Sequence, residues 1–249
     1  NAGSSPADPV LVMQAMGRDY NPRRLERYLV ICHEAGIAPV VLLNKCETAS
    51  GEEITSALAQ AAGPAERIPA LAISALNGTG LGDLGRILTP GRTFCLLGSS
   101  GVGKTTLLNR LLGMNEFATK AISPKHGKGR HTTTRRELIP LPSGGLLIDT
   151  PGMRELQLWG DDSGLEQTFR DVEELAEQCR FSDCSHESEP GCAIRAAIED
   201  GRLDEARFEN YCKLQRELDY LARRRDEGAR GVERRKWRQI KKDYRVRVK

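Results

Sequence analysis

Gly98-Ser99-Ser100-Gly101-Val102-Gly103-Lys104-Thr105 fits the pattern G-x-x-x-x-G-K-[ST] at every fixed position. A short apolar run, Thr93 to Leu97, precedes it, and Thr106 to Leu112 follows with helical spacing. Strand, glycine turn and helix start together make a phosphate-binding loop. Backbone N–H groups at such a turn, helped by the positive end of the helix, wrap the α- and β-phosphates, while Lys104 reaches the β- and γ-phosphates and Thr105 ligates Mg²⁺. Gly101 and Gly103 keep a Cβ out of the way. The nucleotide-binding residues of this stretch are therefore Gly98, Ser99, Ser100, Gly101, Val102, Gly103, Lys104, Thr105 and Thr106. The loop alone separates neither ATP from GTP nor a kinase from a switch.

Working toward the N-terminus, apolar runs at Ile68 to Ile73, Pro39 to Leu43 and Pro9 to Met13 read as strands. Helical segments separate them: Leu81 to Leu88, Gly51 to Ala62 capped by Ser50, and a helix opened by Asn21-Pro22 that runs to about Ala35. Strands alternating with helices predict an α/β fold, a parallel sheet covered by helices on both faces. Toward the C-terminus, residues 119 to 134 are polar and without period, and read as a mobile loop. Arg136 to Leu141 and Leu146 to Ile148 flank Pro142-Ser143-Gly144-Gly145, which suggests a hairpin. From Gly164 to Arg225 the chain reads as charged helices interrupted by a cysteine cluster. The domains predicted are residues 9–160, the α/β part, after a lead-in of residues 1–8, and residues 161–249, a mostly helical part with a basic tail.

The 249 residues carry a formal net charge of +3, but unevenly. Residues 223–249 hold 13 Lys/Arg against 4 Asp/Glu, which leaves 24 basic against 30 acidic residues in the rest. No apolar run approaches the roughly 18 residues of a membrane span, and the first residues, NAGSSPADP, lack the pattern of a signal peptide. A cytoplasmic monomer with no membrane partner is expected. Cys32, Cys46, Cys95 and Cys212 are scattered in apolar or helical settings and read as buried free thiols.

Four further stretches sit where strands end, the ligand-binding edge of an open α/β sheet. Asp149-x-x-Gly152 supplies a carboxylate that holds Mg²⁺ through a water and a glycine N–H for the γ-phosphate. Asn44-Lys45-x-Glu47 supplies an acid that can accept two hydrogen bonds from guanine, a donor pair that adenine lacks. Ser74-Ala75 offers a backbone N–H to the guanine oxygen. Thr132-Thr133-Thr134 offers hydroxyls to the Mg²⁺ shell, with Thr133, the middle one, expected as the ligand and Thr132 and Thr134 as its close competitors. These motifs resemble those of the GTPase superfamily in altered order, with the guanine motifs ahead of the phosphate loop, and that order marks a circularly permuted GTPase domain. A Glu stands at position 47 where the superfamily has Asp. The added methylene keeps both acceptor oxygens and shifts their reach.

In many GTPases the residue after D-x-x-G is a Gln that orients the attacking water. Here it is Met153, which offers water no useful hydrogen bond. His131, beside the threonines expected to close over the γ-phosphate, can position or deprotonate water instead. The catalytic set is His131, Lys104 and Thr133.

Cys179-x4-Cys184-x-His186-x5-Cys192 offers three thiols and an imidazole, a full tetrahedral set for one structural Zn²⁺. The intervening residues are poor in apolar side chains and need a metal to stay folded. After them, Leu203, Phe208, Tyr211, Leu214, Leu218 and Leu221 recur at helical spacing as a packing face. The tail interleaves basic residues with Trp237 and Tyr244; a solvated charge run is its plainest account, and RNA phosphates and bases are the partners such a run suits.

The permuted order, the Gly129-Arg130-His131-Thr132-Thr133-Thr134 stretch and the cysteine cluster together resemble the RsgA (YjeQ) family of bacterial GTPases, over roughly Pro9 to Lys249. The resemblance implies binding of GTP and GDP, hydrolysis stimulated by the small ribosomal subunit, contact with its rRNA late in assembly, and the water-positioning role for His131. It also implies an oligonucleotide-binding barrel ahead of residue 9, which the eight residues there are too few to form. Two other readings stand beside it: a zinc-containing RNA-binding module with a vestigial nucleotide pocket, and a permuted GTPase acting on another RNA–protein particle.

Overall fold

A computed structural model of the chain describes residues 8–63, 68–113, 137–149, 158 and 162–225. The expected strands form at the expected places. They are β1 (Val10–Ala15), β2 (Pro39–Asn44), β3 (Ala70–Ala72), β4 (Thr93–Leu97), β5 (Glu137–Pro140) and β6 (Leu146–Asp149). All six join one sheet in the order β3-β2-β1-β4-β6-β5. Every neighbouring pair is parallel except β5 and β6, which form the antiparallel hairpin that the Pro142–Gly145 turn predicted. β3 is shorter than the apolar run Ile68 to Ile73 suggests.

Alternation along the central strands explains the layers. Leu11, Met13 and Leu42 point into one core with Leu84 of α3 (Leu81–Ile87) and Leu107 of α4 (Lys104–Leu111). Val12, Val41 and Leu43 point into another with Leu25, Tyr28 and Leu29 of α1 (Pro22–Glu34) and Ala57 and Ala61 of α2 (Gly51–Ala62). Strands with both faces buried must be apolar throughout, and β1 and β2 are buried at every position. The helix starts obey their caps. Asn21 accepts from the Arg24 N–H, and Ser50 and Glu53 form a reciprocal capping box.

Beyond the sheet come α5 (Ser163–Thr168), α6 (Arg170–Ala176), α7 (Ala193–Glu199) and a helix from residue 205 to 225, here α8. Their shared core of Leu165, Phe169, Val172, Ile194, Leu214 and Leu218 also takes in Val30 and Ile31, the outward side of α1. The predicted packing face of α8 is thus real, and α1 is what it packs toward. A salt-bridged seam reinforces this contact. Glu26, 7% exposed, accepts from Arg23, from Arg207 Nη1 at 2.9 Å and from Asn210 Nδ2 at 2.6 Å. Arg207 also grips Asp171 with two nitrogens, at 2.8 and 2.7 Å, and lies 4.6 Å over the Phe169 ring. Arg27 pairs bidentately with Glu217. Among the described residues no helix is long and apolar enough to cross a membrane.

Candidate functional site

The sheet changes direction between β1 and β4. From β1 the chain moves outward to β2 and β3, then returns to the other side of β1 as β4 and continues to β6 and β5. A crevice opens beyond the carboxyl ends of the two strands flanking such a reversal, and that is where open α/β sheets bind ligands. The glycine-rich loop follows β4 directly, so its backbone lies at that crevice, and α4 begins within it at Lys104 rather than at Thr106.

Two glycines there have no substitute. A Cβ on Gly98 would stand 2.6 Å from the Met13 carbonyl oxygen, and one on Gly103 would stand 2.4 Å from Asn44 Nδ2. Gly103 also takes φ +99°, a left-handed value that side-chain-bearing residues rarely adopt. The Lys104 ammonium folds back onto the Gly98 and Ser99 carbonyls at 2.6 and 3.0 Å, which parks its charge over the hollow of the loop. Val102 is buried and anchors the turn; Ser100, Gly101, Thr105 and Thr106 are more open. Among the described residues the Thr105 hydroxyl has no intramolecular hydrogen bond, so its oxygen is available as a ligand to a phosphate-bound cation.

Asn44, 2% exposed, ties the motifs together. Its Nδ2 donates to the Val102 carbonyl at 2.8 Å, and its Oδ1 accepts from the Ala75 N–H at 2.9 Å. One amide thus joins its own strand end to two other strand-end loops, 58 and 31 residues away in sequence. Sequence reasoning offered a Ser74-Ala75 backbone N–H to the guanine oxygen; in this structure the Ala75 N–H is engaged by Asn44 Oδ1 and the Ser74 N–H by the Thr79 carbonyl, so these loops first hold one another. Lys45 adopts a left-handed φ of +62° and places Nζ 3.9 Å from Asp19. Glu47 stands exposed on the turn that follows, free to project from the rim. Ser74 is fully buried, and its hydroxyl accepts from the Asn77 N–H, which shapes the loop carrying Ala75. Asp149 ends β6 in register with Leu96 of β4, which puts its backbone at the strand edge from which the glycine-rich loop also departs. His131, Thr132, Thr133, Thr134, Gly152, Met153 and the basic tail lie outside the described residues.

Cys179, Cys184, His186 and Cys192 converge, with ligand atoms all within 4.8 Å of one another. His186 Nδ1 is 3.6 Å from Cys179 Sγ and 3.5 Å from Cys192 Sγ. A tetrahedron with metal–sulfur bonds of about 2.3 Å and a metal–nitrogen bond of about 2.0 Å has S···N edges of about 3.5 Å, so the residues fit zinc. Burial alone would raise the Cys179 thiol, yet it is held below its ordinary value by the Ala193 and Ile194 amides and the neighbouring thiols. Cys184 is pushed up to about 11, by burial first. His186 takes φ +61°, a left-handed turn that swings its ring inward between the thiols.

The glycine-rich loop also forms one wall of a cleft of about 1070 Å³, whose other walls are the start of α1 and the middle of α8. Arg18, Arg23, Arg24, Arg27 and Lys213 line it, giving it a cationic character. Sequence reasoning missed both this cleft and the Glu26–Arg207 seam. The one available signal was a Glu between Leu25 and Leu29, on the apolar side of an otherwise amphipathic helix.

Comparisons with known proteins agree with this geometry. The RsgA GTPase family model matches residues 5–159. The small ribosomal subunit biogenesis GTPase RsgA of Opitutus terrae is 48% identical over 241 residues, 96% of this chain and 65% of that protein. The protein of the same name from Syntrophotalea carbinolica is 50% identical over 212 residues, 85% of this chain and 58% of its own length. The chain therefore spans less than two thirds of these relatives. Among solved structures, YjeQ from Thermotoga maritima superposes with a TM-score of 0.61 at 25% identity, covering 87% of this chain and 72% of that one. YloQ, a circularly permuted GTPase, gives 0.57 at 27%, covering 88% and 69%.

Proposed function

The chain belongs to the RsgA GTPase family, and from that premise we propose that it binds GTP at the crevice beyond β1 and β4, hydrolyses it to GDP and phosphate, and acts on the small ribosomal subunit and its rRNA during maturation. The observation that carries this reading is the Asn44 amide, which couples the loop for phosphate to the loop for base through two backbone bonds. A ligand with phosphate at one end and a base at the other needs these two loops fixed relative to each other.

In this reading Gly98 through Thr106 hold the phosphates, and Asn44, Lys45, Glu47, Ser74 and Ala75 hold guanine. Lys104 exchanges its carbonyl partners for β- and γ-phosphate oxygens, and the Gly152 N–H meets the γ-phosphate. His131 aligns the attacking water in the position that Met153 cannot serve. Thr105, Thr133 and, through a water, Asp149 hold Mg²⁺, whose charge offsets that of the phosphates. Zinc in the Cys179–Cys184–His186–Cys192 cluster fixes residues 161–249 as the RNA-facing part, and the protein works as a cytoplasmic monomer. Residue 160 divides the activities more than the packing, since α1 belongs to both cores.

Phosphate release from GTP, measured with and without small subunits, tests the proposal. Stimulation is expected, with His131→Ala slowing the stimulated rate by about 100-fold or more. Absence of stimulation, or a rate indifferent to His131→Ala, would overturn it.

A further inference from the structure

Arg24 and Glu26 lie two residues apart on α1 in opposite circumstances. Glu26 is buried and satisfied by three donors; Arg24 is exposed and reaches across the cleft, with Nη1 3.5 Å from the Ser99 hydroxyl. Among the described residues no carboxylate pairs with Arg24, although Arg23 is bound to Glu26 and Asp204 and Arg27 to Glu217. The first turn of a helix is also an unfavourable place for a cation, because the macrodipole there is positive. The stability of α1 therefore gives no account of this guanidinium. Its position against the second residue of the phosphate loop does.

We propose that Arg24 acts in cis on the terminal phosphate of the bound nucleoside triphosphate, neutralising the charge that moves onto it during hydrolysis. The inference rests on the GTPase reading above. As the water oxygen bonds to the γ-phosphorus, the bond to the β–γ bridging oxygen breaks; GDP and inorganic phosphate leave, and the water's surplus proton passes to solvent. Negative charge meanwhile spreads over the γ-oxygens and the bridging oxygen, and a planar guanidinium with paired donors suits them better than a compact ammonium. Such a group must be held still to contribute. Glu26 with Arg207 and Asn210, and Arg27 with Glu217, clamp α1 to α8 within three residues of Arg24, so it projects from a fixed helix rather than a loop.

The test compares wild type, Arg24→Ala and Arg24→Lys by single-turnover hydrolysis of GTP and by affinity for GDP with and without aluminium fluoride, which mimics the transferring phosphoryl group. Wild type should bind GDP more tightly when aluminium fluoride is present. Arg24→Ala should hydrolyse GTP about 10- to 1,000-fold more slowly, lose that tightening and keep its GDP affinity within about threefold; Arg24→Lys should recover part of the rate. Unchanged hydrolysis in Arg24→Ala overturns the inference alone. So does a GDP affinity that falls in step with the rate, which marks a structural role. A wild-type chain that binds no guanine nucleotide overturns the functional reading, and this inference with it.

Discussion

The strand-end pocket and the cysteine cluster are both built to receive a ligand, but they are held in shape by opposite means. Around the pocket, loops are fixed from below by a sheet whose central strands are wholly buried, and from within by Asn44. Around the cluster, none of residues 180–190 is buried, and contact with the core comes only through Cys192, Cys179, Cys184 and the His186 ring against Phe208. On the proposed reading the pocket's base and phosphate loops are held before any nucleotide arrives, whereas the cluster would take its shape from a bound cation, which would supply the stability that a core supplies elsewhere.

Metal removal should break the comparison open with the largest effect. Zinc bound to such a set contributes on the order of 10 kcal/mol in small domains, so Cys192→Ala, or strong chelation, should take zinc from one equivalent to under half by metal analysis. Hydrogen exchange should then accelerate across α7 while β1, β2 and β4 stay protected. Uniform acceleration would mean that the two regions share one stability. The seam between them comes next. Arg207→Ala leaves Glu26 buried with part of its charge uncompensated, and a loss of about 3–5 kcal/mol is expected by denaturant unfolding; the double variant with Glu26→Gln should recover part of it. The smallest effect concerns Glu217, whose carboxyl is held below its ordinary value by the Arg27 hydrogen bond. A lowered folded-state value means that this bond stabilises the fold above the unfolded carboxyl value near pH 4.5 and fades as pH falls through the lower folded value. Because the pair is partly exposed, Glu217→Gln should cost no more than about 1 kcal/mol at pH 7, and progressively less as pH falls below the unfolded carboxyl value.

What could be read in advance follows the range of the forces involved. The continuous apolar runs of the central strands, the Asn21 and Ser50 caps and the Pro142–Gly145 turn are local, and each appears where its residues predict it. The metal set was legible because four strong ligands in fourteen residues have few other uses. The double duty of Asn44 was not, since its partners are backbone groups whose position only the assembled sheet defines. Glu26, Asp171 and Arg207 looked like ordinary solvated helix charges because Arg207 and Glu26 find each other across 181 residues. Arg24 escaped notice for the same reason, its neighbour Ser99 being 75 residues away.

α1 has one more consequence, for the order in which the molecule can be made. Its inward side has β1 and β2 to pack on soon after synthesis, but Val30 and Ile31 on the outward side are covered by residues as late as Leu218. At elongation rates of about 5–20 residues per second, α5, the first element to pack on that side, follows on the order of 7–26 s later. During translation the α/β part therefore presents a greasy stripe that only helices from α5 onward can cover. A chain stalled or clipped before α5 would leave it exposed, as a handle for chaperones and proteases.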